Sequence, residues 1–275
     1  MTNAPHILTN ARSGYRLGHG QLYDHMFFDG LEDAYEQGKL MGAFAELCVE
    51  KYGFTREEMD AFATESVKRA QRAVTEGVFA AEITPLTISG RKGDEVISLD
   101  ETPMKCDISK ITKLKPAFKK DGAVTPANSS SISDGAAAVV LMRESEAKRR
   151  GIQVLARIVG HSTFAHEPAW FTTAPVTAFG KLLQKLDWQA SNVDLWEINE
   201  AFAAVTMASM RDLKLSHDKV NVNGGACALG HPIGATGSRI LVTLLYALKA
   251  HGLKRGIAGL CAGGGEATAI ALEVL

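Results

Sequence analysis

From about residue 154 to the carboxyl terminus, short β-rich runs alternate with helical ones, and this alternation restricts the chain to a layered α/β architecture around a largely buried sheet. Strands are predicted over Val154–His161, Asp194–Asn199, Lys219–Val222, Gly256–Cys261 and Ala267–Val274. Helices are predicted over Val176–Leu186, Glu200–Leu213 and Ile233–His251, the last stopped by Gly252. The final two strands are joined through Gly263-Gly264-Gly265, far short of the dozen or so residues that a parallel crossover needs, so they pair antiparallel.

The preceding part of the chain has a different texture, and the change falls at Asp121–Asp134, where Asp-Gly, Pro126 and a serine run mark loops. One helix is plain there: Thr55 and Glu58 form a capping box, apolar residues follow at helical spacing from Met59 to Val74, and Gly77 ends the run at about Glu76. Ile83–Ile88 and Glu95–Leu99 alternate around Gly90–Asp94 and predict a hairpin.

With 46% hydrophobic and 22% charged residues in 275, the chain can bury a substantial core. A net charge of −1 offers no overall field for nucleic acid or an anionic membrane, so an anionic ligand must find a local patch. Cys48, Cys106, Cys227 and Cys261 form no CxxC pair and suit free thiols in a reducing compartment. No leader pattern and no apolar run of about 20 residues is visible, which predicts a soluble, cytoplasmic protein.

Three groups of residues carry chemistry. Asn199-Glu200-Ala201-Phe202 stands where a strand hands over to a helix, at the sheet edge where α/β ligand sites form; Asn199 could equally cap the helix. The stretch Asn221–Gly237 surrounds His231 with five glycines, which lets backbone approach a ligand closely and holds the imidazole on a tight turn. A purely structural histidine is the competing reading, and the stretch has neither the GxGxxG spacing nor the Lys-Ser/Thr of a nucleotide loop. Cys261 precedes Gly263-Gly264-Gly265, a turn able to aim N–H groups at an oxyanion, although a buried inert thiol would look the same. Cys227, His231 and Cys261 lack a nearby fourth ligand, which argues against zinc.

Together these three blocks resemble the thiolase family, nearest to its acetyl-CoA acetyltransferase branch, and the similarity extends to Tyr23–Glu46, the helix from Arg56, Lys113–Phe118 and Asn128–Ala138. The resemblance implies acyl transfer between coenzyme A thioesters: Claisen condensation of acetyl-CoA or thiolysis of a 3-ketoacyl-CoA. Coenzyme A would be carrier rather than resident cofactor, with no metal, nucleic acid or membrane involved. It implies that His231 activates a nucleophilic thiol, that Cys261 moves the α-proton, that Asn199 holds a water which with His231 stabilises the enolate oxygen, and that Gly263 contributes an N–H to a second oxyanion hole. Ser130 and Phe118 would line the pantetheine and adenine path, and Met41 and Phe202 the acyl and substrate pocket. Lys113, Lys115, Lys119 and Lys120 are candidates for the coenzyme phosphates.

The same resemblance implies a division into a loop domain over 1–133, a short piece of the amino-terminal core domain over 134–150 and a catalytic domain over 151–275. On this reading the amino-terminal nucleophile domain, with half of the family's duplicated core, is missing. Asp134–Met142 would be an orphaned strand, and the chain would be an incomplete catalyst. Its partners would then be acyl-CoA substrates, further copies of itself or a separate amino-terminal thiolase fragment. A non-catalytic acyl-CoA-binding or regulatory module is the alternative. Leu40 stands where many biosynthetic members have histidine, which leaves room for longer acyl chains.

Overall fold

The computed structural model describes residues 1–275. Strands are β1 (His6–Leu8), β2 (Leu22–Asp24), β3 (Leu86–Gly90), β4 (Gly93–Ile97), β5 (Ala156–Ala165), β6 (Leu195–Ile198), β7 (Arg255–Ala262) and β8 (Glu266–Val274). Helices are α1 (Met41–Tyr52), α2 (Arg56–Thr75), α3 (Thr102–Lys105), α4 (Glu144–Arg150), α5 (Ala174–Leu186), α6 (Ala203–Leu213), α7 (Ala226–Leu229) and α8 (Thr236–Ala250). No helix is long and apolar enough to cross a membrane.

The carboxy-terminal sheet has the order β5-β8-β7-β6, with β6 and β7 parallel and the other neighbours antiparallel. The predicted antiparallel pairing of the last two strands is observed. The turn between them holds Gly265 at φ +92, where a Cβ would lie 2.4 Å from the carbonyl oxygen of His166. Alternation along β6 sends Trp196 and Ile198 toward α5 and Leu195 toward α8. Phe179 of α5 packs edge-on against Trp196, with ring centroids 5.4 Å apart, and leaves no room for a Cβ at Gly259. Truncating this fully buried ring in Phe179→Ala is expected to cost about 3–5 kcal/mol, read from the midpoint of urea unfolding.

The amino-terminal half joins the same body. Helix α2 starts on the predicted box: Thr55 Oγ1 accepts from the Glu58 N–H at 3.2 Å, and Glu58 accepts from the Thr55 N–H at 2.8 Å. Phe44, Cys48 and Val49 of α1 and Met59 and Phe62 of α2 pack onto Ala204, Val205 and Ala208 of α6. Buried Glu46 accepts the N–H groups of Ala123 and Val124, so the loop that follows is tied to α1.

Several expectations are corrected. Lys219–Val222 forms no strand; Val220 makes a single bridge to Trp196, because Asn221 takes a left-handed turn at φ +50. Helix α6 begins at Ala203 rather than Glu200, and α8 at Thr236 rather than Ile233. Asp134–Met142 is not a strand: it has no ladder partner on either side, and Val140 is 86% exposed. Apolar β propensity does not make a strand until a neighbouring edge supplies hydrogen bonds.

Candidate active site

Asn199 lies one residue beyond β6, and its N–H donates to the Gly259 carbonyl at 3.0 Å, continuing the pairing with β7. It does not cap α6. Three tethers hold the chain extended past it: the Ala203 N–H donates to the Asn128 carbonyl at 2.8 Å, the Ser130 N–H to the Ala201 carbonyl at 3.0 Å, and Ser129 bridges Phe202. Glu200 points inward, wholly buried, and accepts from Ser66 Oγ (2.7 Å), Asn221 Nδ2 (2.8 Å) and the Cys227 N–H (3.0 Å). Burial pushes its carboxyl pKa up, against these hydrogen bonds.

Asn221 was not singled out by the sequence, yet it finishes the edge of β6. Its side chain accepts from the Ile198 N–H at 2.9 Å and donates to the Ile198 carbonyl at 2.8 Å, as a neighbouring strand would.

The glycine-rich stretch delivers His231 to Asn199, with Asn199 Nδ2 3.4 Å from His231 Nε2. Gly230, at φ +91, makes the turn, and a Cβ there would collide with Ser133 Oγ. The His231 N–H donates to the Ser131 carbonyl at 3.1 Å, which sets the ring beside the serine run. On its far side, His231 Nδ1 lies 2.6 Å from Thr236 Oγ1, and that hydroxyl also lies 3.0 Å from the Pro232 carbonyl. A hydroxyl has one proton to give. With that proton directed to Pro232 and the Asn199 amide N–H directed to Nε2, the hydrogen-bond pattern assigns the ring proton to Nδ1 and a lone pair to Nε2. Burial, reinforced by the positive charge of Arg239, lowers the His231 pKa to about 4 and keeps the ring neutral at neutral pH. Thr236 was also missed; its only sequence signal is its place inside the same glycine-rich block.

Cys261 sits near the end of β7, on the strand neighbouring Asn199, and is 8% exposed. Burial pushes its thiol up to about 12, so it rests protonated. It shares an apolar cluster with Phe202, and Met41 packs against that cluster. Gly263 lies against Met41, whose sulfur would be 2.7 Å from a Cβ at that glycine. Phe118 meets Phe202 edge to face at 6.2 Å, and Gly42 has no Cβ because the Phe118 ring occupies that space. Ser130 Oγ donates to the Ala201 carbonyl at 3.1 Å. Asn199 and His231 are thus in direct contact, and the other predicted residues are linked to them through the β6–β7 edge and the segment that follows it.

The remaining thiols are placed otherwise. Cys48 faces the Ala204 carbonyl at 3.9 Å, Cys227 faces the Glu200 carbonyl at 3.9 Å, and Cys106 follows α3. Of the four lysines, Lys119 pairs with Glu50 and the rest stay on the surface.

The model for "Thiolase, C-terminal domain" matches residues 152–274, and that for "Thiolase, N-terminal domain" matches residues 1–145. Acetyl-CoA acetyltransferase 2 of Arabidopsis thaliana is 47% identical over 278 residues, covering 100% of this chain and 69% of its own length. Acetyl-CoA acetyltransferase of Pseudomonas aeruginosa is 47% identical, with 99% and 70% covered. The crystal structure of the Bacillus anthracis acetyl-CoA acetyltransferase superposes with a TM-score of 0.94 at 46% identity, over 98% of this chain and 68% of that one.

These matches overturn the expectation that the amino-terminal thiolase domain, and with it half of the core, is missing. The chain spans about 70% of the length of these relatives. The match over 1–145 falls on a region whose strands are short and whose loops are long, and its periodic segments, α2 and the β3–β4 hairpin, are too far apart to mark it as a domain by pattern alone. Matched by both domain models from end to end, and nearly half identical to proteins of which it covers more than two thirds, the chain belongs to the thiolase family.

Proposed function

We propose that the protein is a thiolase-type acyl-CoA acyltransferase, an acetyl-CoA C-acetyltransferase that condenses acetyl units or cleaves a 3-ketoacyl-CoA. The observation that carries this reading is the 3.4 Å contact of Asn199 Nδ2 with His231 Nε2, beside a strand end that presents Cys261. The α-proton of a thioester leaves at neutral pH only if the enolate is stabilised where it forms, so a base and oxyanion donors are needed together.

On this reading the site holds both. Neutral His231 accepts at Nε2 the proton of the incoming coenzyme A thiol, whose sulfur bonds to the 3-keto carbonyl carbon as the bond from that carbon to the α-carbon breaks. The resulting Nε2–H and the Asn199 amide then form a pair of donors for an enolate oxygen, directly or through a water. Buried and short of a hydrogen-bond partner, Asn199 Oδ1 is an acceptor with which such a water can pair. Resting as a thiol, Cys261 gives its proton to the carbanion released in cleavage and regains one from protonated His231; condensation runs the same transfers in reverse, with the Cys261 thiolate removing the α-proton. The N–H of Gly263 serves the second carbonyl. Met41, Phe118 and Phe202 make an apolar wall for the acyl and pantetheine parts, with Ser130 beside them. Leu40, next to Met41, suits acyl chains beyond acetoacetyl.

Sequence similarity to acetyl-CoA acetyltransferases supports this reading. The test follows loss of acetoacetyl-CoA, and of a longer 3-ketoacyl-CoA, in the presence of coenzyme A. Asn199→Ala is expected to lower kcat about 10²–10³-fold, as loss of an oxyanion donor does. Tight binding of acyl-CoA without turnover of either substrate would instead favour a binding module.

A further inference from the structure

Beneath α8 lies a group of ionisable residues that the acyl-transfer chemistry leaves unused. Arg239 belongs to the first turn of α8, its N–H donating to the Ala235 carbonyl at 3.0 Å. Its Nη1 lies 3.7 Å from Glu197 Oε2, and the Glu197 side chain is 2% exposed. Glu82, from the turn that follows α2, accepts from Thr243 Oγ1 at 3.1 Å, one helical turn beyond Arg239. Asp100, just after β4, also lies within the field of the guanidinium. The cluster therefore joins α8, β6 and the amino-terminal half.

One cation faces three largely buried acids. Burial outweighs its attraction and holds the Glu197 carboxyl up to about 8 and that of Glu82 to about 7, with Asp100 also raised. An apolar filling of the same volume would hold the fold at lower cost. The position of the cluster suggests what it serves. Glu197 stands two residues before Asn199 on the same strand, and Arg239 stands three residues after Thr236, whose hydroxyl orients His231.

We propose that Arg239 is a positioning residue: paired with Glu197 of β6 at 3.7 Å, it holds the first turn of α8 so that Thr236 keeps His231 in its Nδ1–H form facing Asn199. The charged groups that feel the guanidinium are Glu197 and Glu200 from β6 and its extension, Glu82 and Asp100 from the amino-terminal half, and His231 from the preceding turn. The effect on rate rests on the acyl-transfer reading of His231, whereas the ring tautomer does not.

The experiment is nitrogen NMR of the histidine-labelled full chain, with the His231 signal assigned by its absence in His231→Gln. Wild type should show one Nδ1–H tautomer. In Arg239→Met the ring should become a tautomer mixture and its pKa should rise by about one unit, because a neighbouring positive charge has gone. The kcat should fall about 10–100-fold with little change in KM, as loss of an outer support does. Arg239→Lys should keep the ring pKa low and recover part of the tautomer bias. If Arg239→Met fails to fold, the Arg239→Met/Glu197→Gln pair removes the uncompensated acid and is read in the same way. A folded variant whose His231 tautomer and ring pKa match wild type would overturn the proposal, even with a lower unfolding midpoint. A tautomer change in a protein whose wild type never turns over acyl-CoA would sink the acyl-transfer reading and leave this inference standing.

Discussion

Cys261→Ala is expected to lower kcat for acetoacetyl-CoA thiolysis by about 10²–10⁴-fold, the usual worth of a general acid–base group. The side chain is 8% exposed at the end of β7, and removing one sulfur from that packing costs about 1 kcal/mol, so the protein stays folded. The thiol rests protonated because burial raises its pKa to about 12, and a carbanion leaving in cleavage takes that proton. Cys261→Ser fills the space but gives a hydroxyl that ionises far less readily, so it should be nearly as slow. Cys106→Ser, after α3 and away from the β6–β7 edge, serves as the control and should turn over normally. A Cys261→Ala protein with kcat within twofold of wild type would remove this residue from the chemistry.

His231→Ala should cost about 10³-fold in kcat, since it takes away both the Nε2 base and the donor that base becomes. The pH dependence gives a sharper check. An ordinary imidazole titrates near 6.5, but here burial and Arg239 lower the value to about 4. The wild-type acid limb assigned to His231 should therefore fall near pH 4, with kcat/KM flat through 6.5. The same shift has a consequence for stability. Between about pH 4 and 6.5 the unfolded chain binds a proton at this ring that the folded chain does not, so stability rises with pH there. The contribution is complete above 6.5 and is lost as pH falls through about 4. Urea midpoints of wild type and His231→Gln at pH 5 and pH 7 measure it: the wild type should gain more between the two, and equal gains would show that His231 is not held neutral by the fold.

What could be read before the fold was known followed from short-range rules. The Thr55–Glu58 box, the glycine stop of α2, the hairpin of β3 and β4 and the antiparallel β7–β8 pair each depend on residues close in the chain. The contact of His231 with Asn199 was legible for another reason, since those blocks were read through a family resemblance. Asn199 is a good capping residue and predicts a start for α6 three residues too early; the backbone of Asn128, more than 70 positions away, holds that entrance instead. The β-rich composition around Val220 predicts a strand, whereas the left-handed turn at Asn221 lets the Asn221 side chain take a strand's place against Ile198. Residues 1–145 match a domain model although their periodic segments, α2 and the β3–β4 hairpin, are separated by long loops that carry no hydrophobic period.

By itself, then, the sequence determined the α/β class of the carboxy-terminal part, its local turns and caps, and the three residue blocks that resemble the thiolase family. Tertiary structure alone decided the tautomer of His231, the inward turn of Glu200, the work of Asn221 and Thr236, and the gathering of Glu82, Asp100 and Glu197 about Arg239. The physical reason is range: caps, turns and hairpins are closed by hydrogen bonds between near neighbours, whereas a proton's place on a ring or a charge's worth in the interior depends on groups that only folding brings within a few ångströms.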